Sequence, residues 1–574
     1  MKYKTFEQKT ENIKYNILLN RGINNPEEYL LPEKKIQSYK DLFNIDLAVS
    51  VLLKAVENNW SIMTLVDEDN DGICSSAILF SFLKKTFPNI KLDYIIHNDV
   101  KSHGINEDVI NQCIEKKIDL LIVPDAGSGN DKEARLLNQK GISVIALDHH
   151  IVNTNPENMV LVNPHLSENY FNKAISGTGV TYQFIKAIDD SEWNNYADDY
   201  LDLVALSILS DSCDVRVFEN RAFLDIGLSN IKNKALLQFI SKAEYGDKKI
   251  ESLIDYSFSI IPLINALVRV GDIESKAILF RAFAEQYEEF DYQKKDKTMV
   301  KEDIYTRAVR LCVNAKAKQE RMINKSLDVI EEDISVNNRN KNKILFALAN
   351  ENVEKAFAGL CAMKIAQKYN KPCVLLRDNG KDYFSGSIRN FDGSPITDLK
   401  SFLESLNSIS WISGHPQAAG IGLSKKQLIL TINRSNEKLE NFDFSKVYNI
   451  DYEFDFKNDR LPQDELIRDI LSMKFYWGMN VQEPLLLLKN IHINSSKIEF
   501  FGTNKDTWKT VLYSNKELIK FKCKDDDLFI DKFVGEFNWE GVDLIVNAIV
   551  KIGKNEFNGE SKIQFIVQDY EIVE

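Results

Sequence analysis

Four short clusters of acidic and histidine residues carry the chemistry that can be read from this 574-residue chain. They are Asp67-Glu68-Asp69-Asn70-Asp71-Gly72, Pro124-Asp125-Ala126-Gly127, Asp148-His149-His150 and Ser210-Asp211-Ser212-Cys213-Asp214. Carboxylates that meet at one point repel one another, and burying them together is costly unless cations neutralise them. Oxygen-rich ligands with one or two imidazoles suit Mn²⁺ or Mg²⁺, and Mn²⁺ tolerates His better. Two such ions bridged by a carboxylate can cleave phosphodiesters: one activates water, and both stabilise charge on the phosphate. The first cluster also matches the opening of an EF-hand loop. That loop needs Glu at its twelfth position, which is Ile78 here, and a helix before it rather than a strand. A turn or a helix cap explains any one Asp alone. It does not explain four clusters that all fall at the ends of predicted elements.

Those elements follow from the apolar pattern. Runs 62–66, 120–123, 144–147 and 159–162 read as buried parallel strands, with helices such as 75–85 and 131–140 between them. The result is an α/β fold with a doubly wound parallel sheet, in which strand C-termini line one crevice. Asp67, Asp69, Asp125, Asp148 and His149 follow strands, and Asp211 follows a helical segment at 201–209. All six are therefore expected to converge. Residues 1–55 read as short helices, with Ala48, Val51, Leu52 and Ala55 at helical spacing. Residues 216–340 read as a helical connector with one long helix. A smaller α/β domain is expected at 341–435, with strands 344–347 and 373–376 around a helix at 353–368. Residues 436–574 become β-rich and aromatic, with turn signals at Ser514-Asn515 and Asn558-Gly559, which suggests a small antiparallel barrel. The catalytic α/β domain then spans 56–215.

Composition narrows the class. With 44% hydrophobic and 27% charged residues, the chain is that of a folded protein too long for one core. Its seven Cys, at 74, 113, 213, 312, 361, 373 and 523, form no CxxC pair. This argues against a thiolate zinc site and fits a reducing, cytoplasmic setting. The N-terminal segment is polar and mixed in charge, unlike a signal peptide, and no membrane span is expected. The net charge of −13 speaks against a simple nucleic-acid binder, which should be basic. A local basic groove would suffice, however, because net charge does not report local field.

At these residues the sequence resembles the DHH phosphoesterase family, named for the triplet seen here as Asp148-His149-His150, and within it the RecJ-like exonucleases. The resemblance runs along nearly the whole chain. It begins at Ile17-Leu18-Leu19-Asn20-Arg21-Gly22-Ile23 and continues through the four clusters above. It also includes Asn163-Pro164, Ser176-Gly177-Thr178-Gly179, Asp202 to Asp211, Glu219-Asn220-Arg221, Ile264-Asn265-Ala266 and Arg269-Val270-Gly271-Asp272. Ser387-Ile388-Arg389 and Ser413-Gly414-His415 resemble motifs of the family's second domain, DHHA1, and the β-rich end resembles its OB-fold.

The resemblance implies a 5′-to-3′ exonuclease that releases mononucleotides from single-stranded DNA in repair or recombination. It implies two Mn²⁺ or Mg²⁺ ions held by Asp67, Asp69, Asp125, His149 and Asp211, with Asp125 bridging. Asp71 belongs to the catalytic group. Asp148 and His150 would orient ligands or contact the scissile phosphate, and the alternative for His150 is a packed position behind the ligands. Ser387 and Arg389 would take a terminal phosphate. His415 would donate to the scissile phosphate, or else cap or pack. Gly414 and Gly420 would let the backbone approach the strand, and Asn265 and Arg269 would touch its phosphates. Tyr476, Trp477, Trp508 and Trp539, with Lys505, Lys509, Lys520, Lys522 and Lys524, suit base stacking and phosphate tracking as a set, though each aromatic taken alone reads first as barrel core. The implied protein is a monomer that cooperates with a helicase or a single-strand-binding protein.

The sequence departs from the family pattern in three places. Leu65 stands where a His is usual. The glycine pair of the second domain is Ser413-Gly414. Segment 98–101 lacks an expected Arg, for which Lys101 would substitute as a point charge. Two other readings stay open. One is a DHH phosphodiesterase for short oligonucleotides or cyclic dinucleotides, and the other is a non-catalytic replication scaffold.

Overall fold

The structure is a computed structural model. It describes every residue except 32–34, 98–102, 245–248, 350–352, 503–504, 515, 524–540, 558–559 and 574, and the side chains of 356, 557 and 560. Lys101, Lys524, Trp539 and the turn residues Asn515, Asn558 and Gly559 lie outside the described residues. The chain divides into two compact units. One comprises 1–6 with 317–452, and the other 7–316 with 453–574.

The larger unit contains a five-stranded parallel sheet. Its strands are β1 (Ser61–Val66), β2 (Lys91–Ile96), β3 (Leu120–Pro124), β4 (Ser143–Leu147) and β5 (Val160–Val162), in the order β2-β1-β3-β4-β5. The central strands are continuous apolar runs because both faces are covered, as a parallel sheet requires. On one face Met63, Leu65, Ile95, Leu121, Val123, Val144 and Leu161 form a single core with the helices Glu107–Glu115 and Asp131–Asn138. On the same sheet pack α1 (Asn70–Thr86) and α2 (Gly177–Ser191), and α3 (Leu201–Ser210) packs on both of these helices. All three are buried over most of their circumference, as core helices rather than amphipathic ones. Helix Ile45–Glu57 buries Ala48, Leu52 and Ala55 as its periodicity predicts, together with Ile45 and Val49, while Val51 stays partly exposed.

The sheet contains one strand that the apolar pattern did not reveal, β2. Its burial alternates because it is an edge strand, with Lys91 and Asp93 turned to solvent. Two further helices, α4 (Ile261–Val270) and α5 (Ile273–Phe283), extend this unit. The 18 residues Leu253–Val270 are apolar enough to cross a bilayer, which the sequence reading had not recognised. Here they form two helices, broken at Ile260, with Leu253, Ile261, Ile264 and Leu267 buried against protein.

The C-terminal part of the same unit is a seven-stranded sheet. Its strands are Tyr452–Asp455, Leu486–Asn494, Glu499–Phe501, Thr507–Val511, Glu517–Lys520, Asp543–Phe557 and Glu560–Ile572. Among the described residues no pairing joins its two outermost strands, Tyr452–Asp455 and Glu499–Phe501. Trp477 and Trp508 are 2% and 0% exposed, so both are core residues and cannot stack on bases. Tyr476 packs on Tyr29 and beneath Arg221. Lys509 is paired with Glu499, and Lys520 lies over the Tyr570 ring. Most of the aromatic and lysine set read from the sequence is thus engaged in structure.

The smaller unit carries a five-stranded mixed sheet of β6 (Leu345–Ala349), β7 (Cys373–Asp378), β8 (Tyr383–Arg389), β9 (Trp411–His415) and β10 (Ala418–Ser424), ordered β9-β10-β8-β7-β6. The long helix expected near the connector runs from Ile304 to Val336, and the unit boundary falls inside it.

Candidate metal centre

Strand order 2-1-3-4-5 places its topological switch between β1 and β3, where a crevice opens beyond the strand ends. Asp67 leaves β1 and Asp125 leaves β3 at that point. Asp69 caps α1, its carboxylate accepting from the Gly72 N–H at 2.8 Å. Asp71 lies in the first turn of α1. It accepts from the backbone N–H groups of Gly177 and Thr178, both at 2.8 Å, and from the Thr178 hydroxyl at 2.5 Å. The N-termini of α1 and α2 are thereby locked together. Two glycines make the packing possible. A Cβ on Gly72 would lie 2.6 Å from the Asp67 Cβ, and one on Gly177 would lie 2.2 Å from Asp125 Oδ1.

The predicted ligands meet. Asp125 meets Asp148, His149 and His150 in one set of ligand atoms within 4.8 Å of one another; Asp67, Asp69 and Asp125 form a second such set, and Asp71, His149 and Asp211 a third. His149 Nε2 lies 3.2 Å from Asp125 Oδ1, 3.8 Å from Asp211 Oδ2 and 3.9 Å from Asp71 Oδ2. Asp125 therefore sits between the second and third sets. Its backbone is left-handed (φ 62°), and its N–H donates to the Leu147 carbonyl at 2.8 Å.

Asp148 is the organiser of the histidine turn. Its carboxylate accepts from the N–H of Ser128 at 2.8 Å, the N–H of His149 at 2.7 Å and the N–H of His150 at 3.2 Å, and it pairs with His150 Nδ1 at 2.8 Å. Burial works against its ionisation, but the His150 pairing and the Ser128 bonds prevail and hold it well below the ordinary carboxylate range. The same hydrogen bond to Asp148 pushes His150 up to about 9.

Asp69, Asp125 and Asp211 behave oppositely. Crowding within the cleft strips water from Asp69, and Asp71 and Asp67 add repulsion, raising it to about 7 even though it keeps an edge open to solvent. Burial and the same neighbours raise Asp125, and burial with Asp71 raises Asp211. Among the described residues no donor forms a hydrogen bond with the buried Asp125 Oδ1. A site so short of positive charge, with an orphaned carboxylate oxygen at its centre, fits divalent cations.

Arg269 and Asn265 lie one turn apart on α4, partly exposed, and the Arg269 guanidinium is near enough to Asp69 to feel its charge. In the smaller unit Arg389 and His415 both pair with Ala418, and Ser387 pairs with Gly420, so the three side chains share one face of the sheet. Ile388 faces the core behind it. Gly414 has φ 132° and faces Ala419 so closely that a Cβ would lie 2.8 Å from the Ala419 Cα.

The structure also brings in residues that the sequence reading missed. His103 Nδ1 lies 2.7 Å from Asp67 Oδ2, and the fully buried His97 has Nε2 3.8 Å from Asp67 Oδ1. Lys276 of α5 forms a buried ion pair with Glu68. One signal was available, since five of the seven histidines (97, 103, 149, 150 and 165) fall within this one α/β fold. Leu65 is wholly buried in the sheet core, and supplies no ligand.

Comparison with known proteins agrees with this geometry. Residues 61–208 match the DHH family, N-terminal domain. Over 563 residues, covering 97% of this chain and 95% of the relative, the sequence is 34% identical to a Bacillus subtilis protein whose name describes it, provisionally, as an SPbeta prophage-derived single-strand DNA-specific exonuclease. The chain belongs to the RecJ-like branch of the DHH family. RecJ of Haemophilus influenzae, named a single-stranded-DNA-specific exonuclease, is 24% identical over 96% of this chain and 94% of its own length. The fold matches the crystal structure of RecJ from Thermus thermophilus in complex with Mn²⁺, with a TM-score of 0.74 at 18% identity, over 99% of this chain and 79% of that one.

Proposed function

We propose that this chain is a metal-dependent exonuclease that hydrolyses single-stranded DNA from the 5′ end, releasing mononucleotides during repair or recombination in the cytoplasm. The observation that carries the proposal is the meeting of Asp67, Asp69, Asp125, His149 and Asp211 around a centre short of positive charge. Relatives named as single-strand DNA-specific exonucleases, aligned along almost the full chain, support the choice of substrate. The Thermus relative was crystallised with Mn²⁺ and with Mg²⁺, which supports those ions.

Asp67, Asp69, Asp125, His149 and Asp211 would hold two divalent cations, which when bound supply Lewis acidity at the phosphate and an acidified water. The place of Asp125 in one carboxylate group, 3.2 Å from His149 of the other, supports its role as a shared ligand. Asp71 ties the two helix N-termini and turns its second oxygen toward His149. Asp148 fixes His149 and keeps His150 protonated, so the exposed edge of His150 can donate to a phosphate oxygen. Arg269 and Asn265 take the strand's phosphates beside the acidic cleft. Ser387, Arg389 and His415, on one sheet face, take phosphate oxygens of the terminal nucleotide, and Gly414 permits close approach of backbone.

The test is degradation of a long single strand labelled at either end, with Mn²⁺ and Mg²⁺ in parallel. Mononucleotide release from the 5′ end, lost in Asp125→Ala, is expected. Cleavage of dinucleotides with no attack on the long strand would replace this reading with that of a small-substrate phosphodiesterase. Inactivity of folded protein in every divalent metal would replace it with that of a scaffold.

A further inference from the structure

We propose that His97 ligates the divalent cation held by Asp67, Asp69 and Asp125, giving an imidazole to the one carboxylate group of the centre that lacks it. The inference rests on the metal-centre reading above and goes beyond it. Val66 pairs with Ile96 across the parallel strands β1 and β2. Asp67 and His97 therefore leave neighbouring strand ends at the same level, and both side chains enter the crevice. The His97 side chain is 0% exposed. Neither of its ring nitrogens has a hydrogen-bond partner among the described residues, a state that buried polar groups rarely keep.

The 3.8 Å between His97 Nε2 and Asp67 Oδ1 is too long for a hydrogen bond. It suits two ligands of one ion, since atoms each about 2.1 Å from a cation can lie up to about 4.2 Å apart. His149 shows the same spacing in the other group, with Nε2 3.8 and 3.9 Å from Asp211 and Asp71. Asp67 is already oriented for the task. His103 Nδ1 holds its Oδ2 at 2.7 Å, and the Gly104 N–H approaches its Oδ1 at 3.4 Å. His103 is therefore a positioning residue, and His97 takes the place that buried, apolar Leu65 cannot fill. An imidazole at this site also favours Mn²⁺ over Mg²⁺.

The experiment uses the full chain and Mn²⁺ alone. Calorimetry counts the ions, and pulsed electron paramagnetic resonance of protein labelled with ¹⁵N-histidine counts imidazoles bound to manganese. Wild-type protein is expected to bind two ions and to show couplings from two imidazoles. His97→Ala and the milder His97→Asn should keep one site unchanged, lose one imidazole coupling and bind the other ion at least about 100-fold more weakly. That is the upper end of what loss of a residue merely behind a ligand produces. His103→Ala should retain both couplings. Two ions with one imidazole in the wild type, or two intact sites in the His97 variants, overturns this proposal alone. No manganese binding by the wild type overturns it together with the metal centre. Should His97→Ala fail to fold, the milder His97→Asn carries the test, because a second imidazole coupling in the wild type could also come from His150, which lies in the same cluster.

Discussion

Replacing Gly177 by Ala should separate activity from stability. The new methyl group would sit 2.2 Å from Asp125 Oδ1 and 2.6 Å from the Asp125 Cβ and Cγ. Relaxed carbon contacts need about 3.5–4.0 Å, so roughly 1 Å of movement is forced. Asp125 has little room to yield. Its left-handed backbone is pinned by the bond to Leu147, and its side chain is buried. The N-terminus of α2 must shift instead, straining the three bonds that Asp71 receives from Gly177 and Thr178. Overpacking of this kind costs about 1–3 kcal/mol of stability, a modest fall in melting temperature. A displacement of about 1 Å among groups that hold reacting atoms costs on the order of 10²-fold in rate. The assay is mononucleotide release from labelled single-stranded DNA in Mn²⁺, beside thermal unfolding of the same samples. Gly129→Ala is the control, because nothing lies within 4 Å of its Cβ position. A Gly177→Ala protein with wild-type rates and manganese affinity would refute the claim that Asp125 is held by this close contact.

Three further outcomes follow from the electrostatics. The folded, metal-free protein binds protons at Asp69, Asp125 and Asp211 more tightly than the unfolded chain, because their pKa values are raised. That contribution is complete below the usual carboxylate range and is lost as pH rises through about 7 at Asp69. Chelator-treated protein should therefore melt lower at about pH 8 than at about pH 5, and Mn²⁺ should restore it; a metal-free melting temperature that rises over this range would contradict the crowding described. Asp148→Asn should drop the His150 titration seen by NMR from about 9 toward its ordinary value. Because the pair stabilises most below the ordinary histidine pKa and fades as pH rises through about 9, the variant should lose more stability at about pH 6 than at about pH 10. Lys276→Met leaves Glu68 buried without its cation, at a cost of about 3–5 kcal/mol in denaturant unfolding. Adding Glu68→Gln should recover much of that, and no recovery would mean the pair matters for another reason.

What the sequence disclosed, and what it concealed, follows the burial of each strand. Strands β1, β3 and β4 are covered on both faces, so each is an unbroken apolar run, and the acidic cluster after each marks its end. That pattern alone placed Asp67, Asp125 and Asp148 at one crevice. Strand β2 is an edge, so its alternation of Lys91, Leu92 and Asp93 carries a weaker signal. Losing β2 also lost the two histidines that follow it, for without the strand nothing tied His97 to the level of Asp67. The C-terminal tryptophans were ambiguous for a different reason. An indole suits both a base-stacking surface and a core, and only packing decides, which here buries Trp477 and Trp508 completely.

The roles within the DHH triplet also depend on geometry that spacing cannot encode. Three neighbouring polar residues are equivalent in sequence, yet the fold divides them. Asp148 faces four donors and takes no free charge into the cleft, while His149, with no such partner, points at Asp125 and Asp211. A carboxylate saturated by backbone N–H groups stays ionised cheaply, whereas those of Asp125 and Asp69 resist ionisation until cations arrive. The centre therefore has two kinds of acid. One kind is satisfied by the protein and holds the turn, and the other is left in want of positive charge, as the proposed metal centre requires.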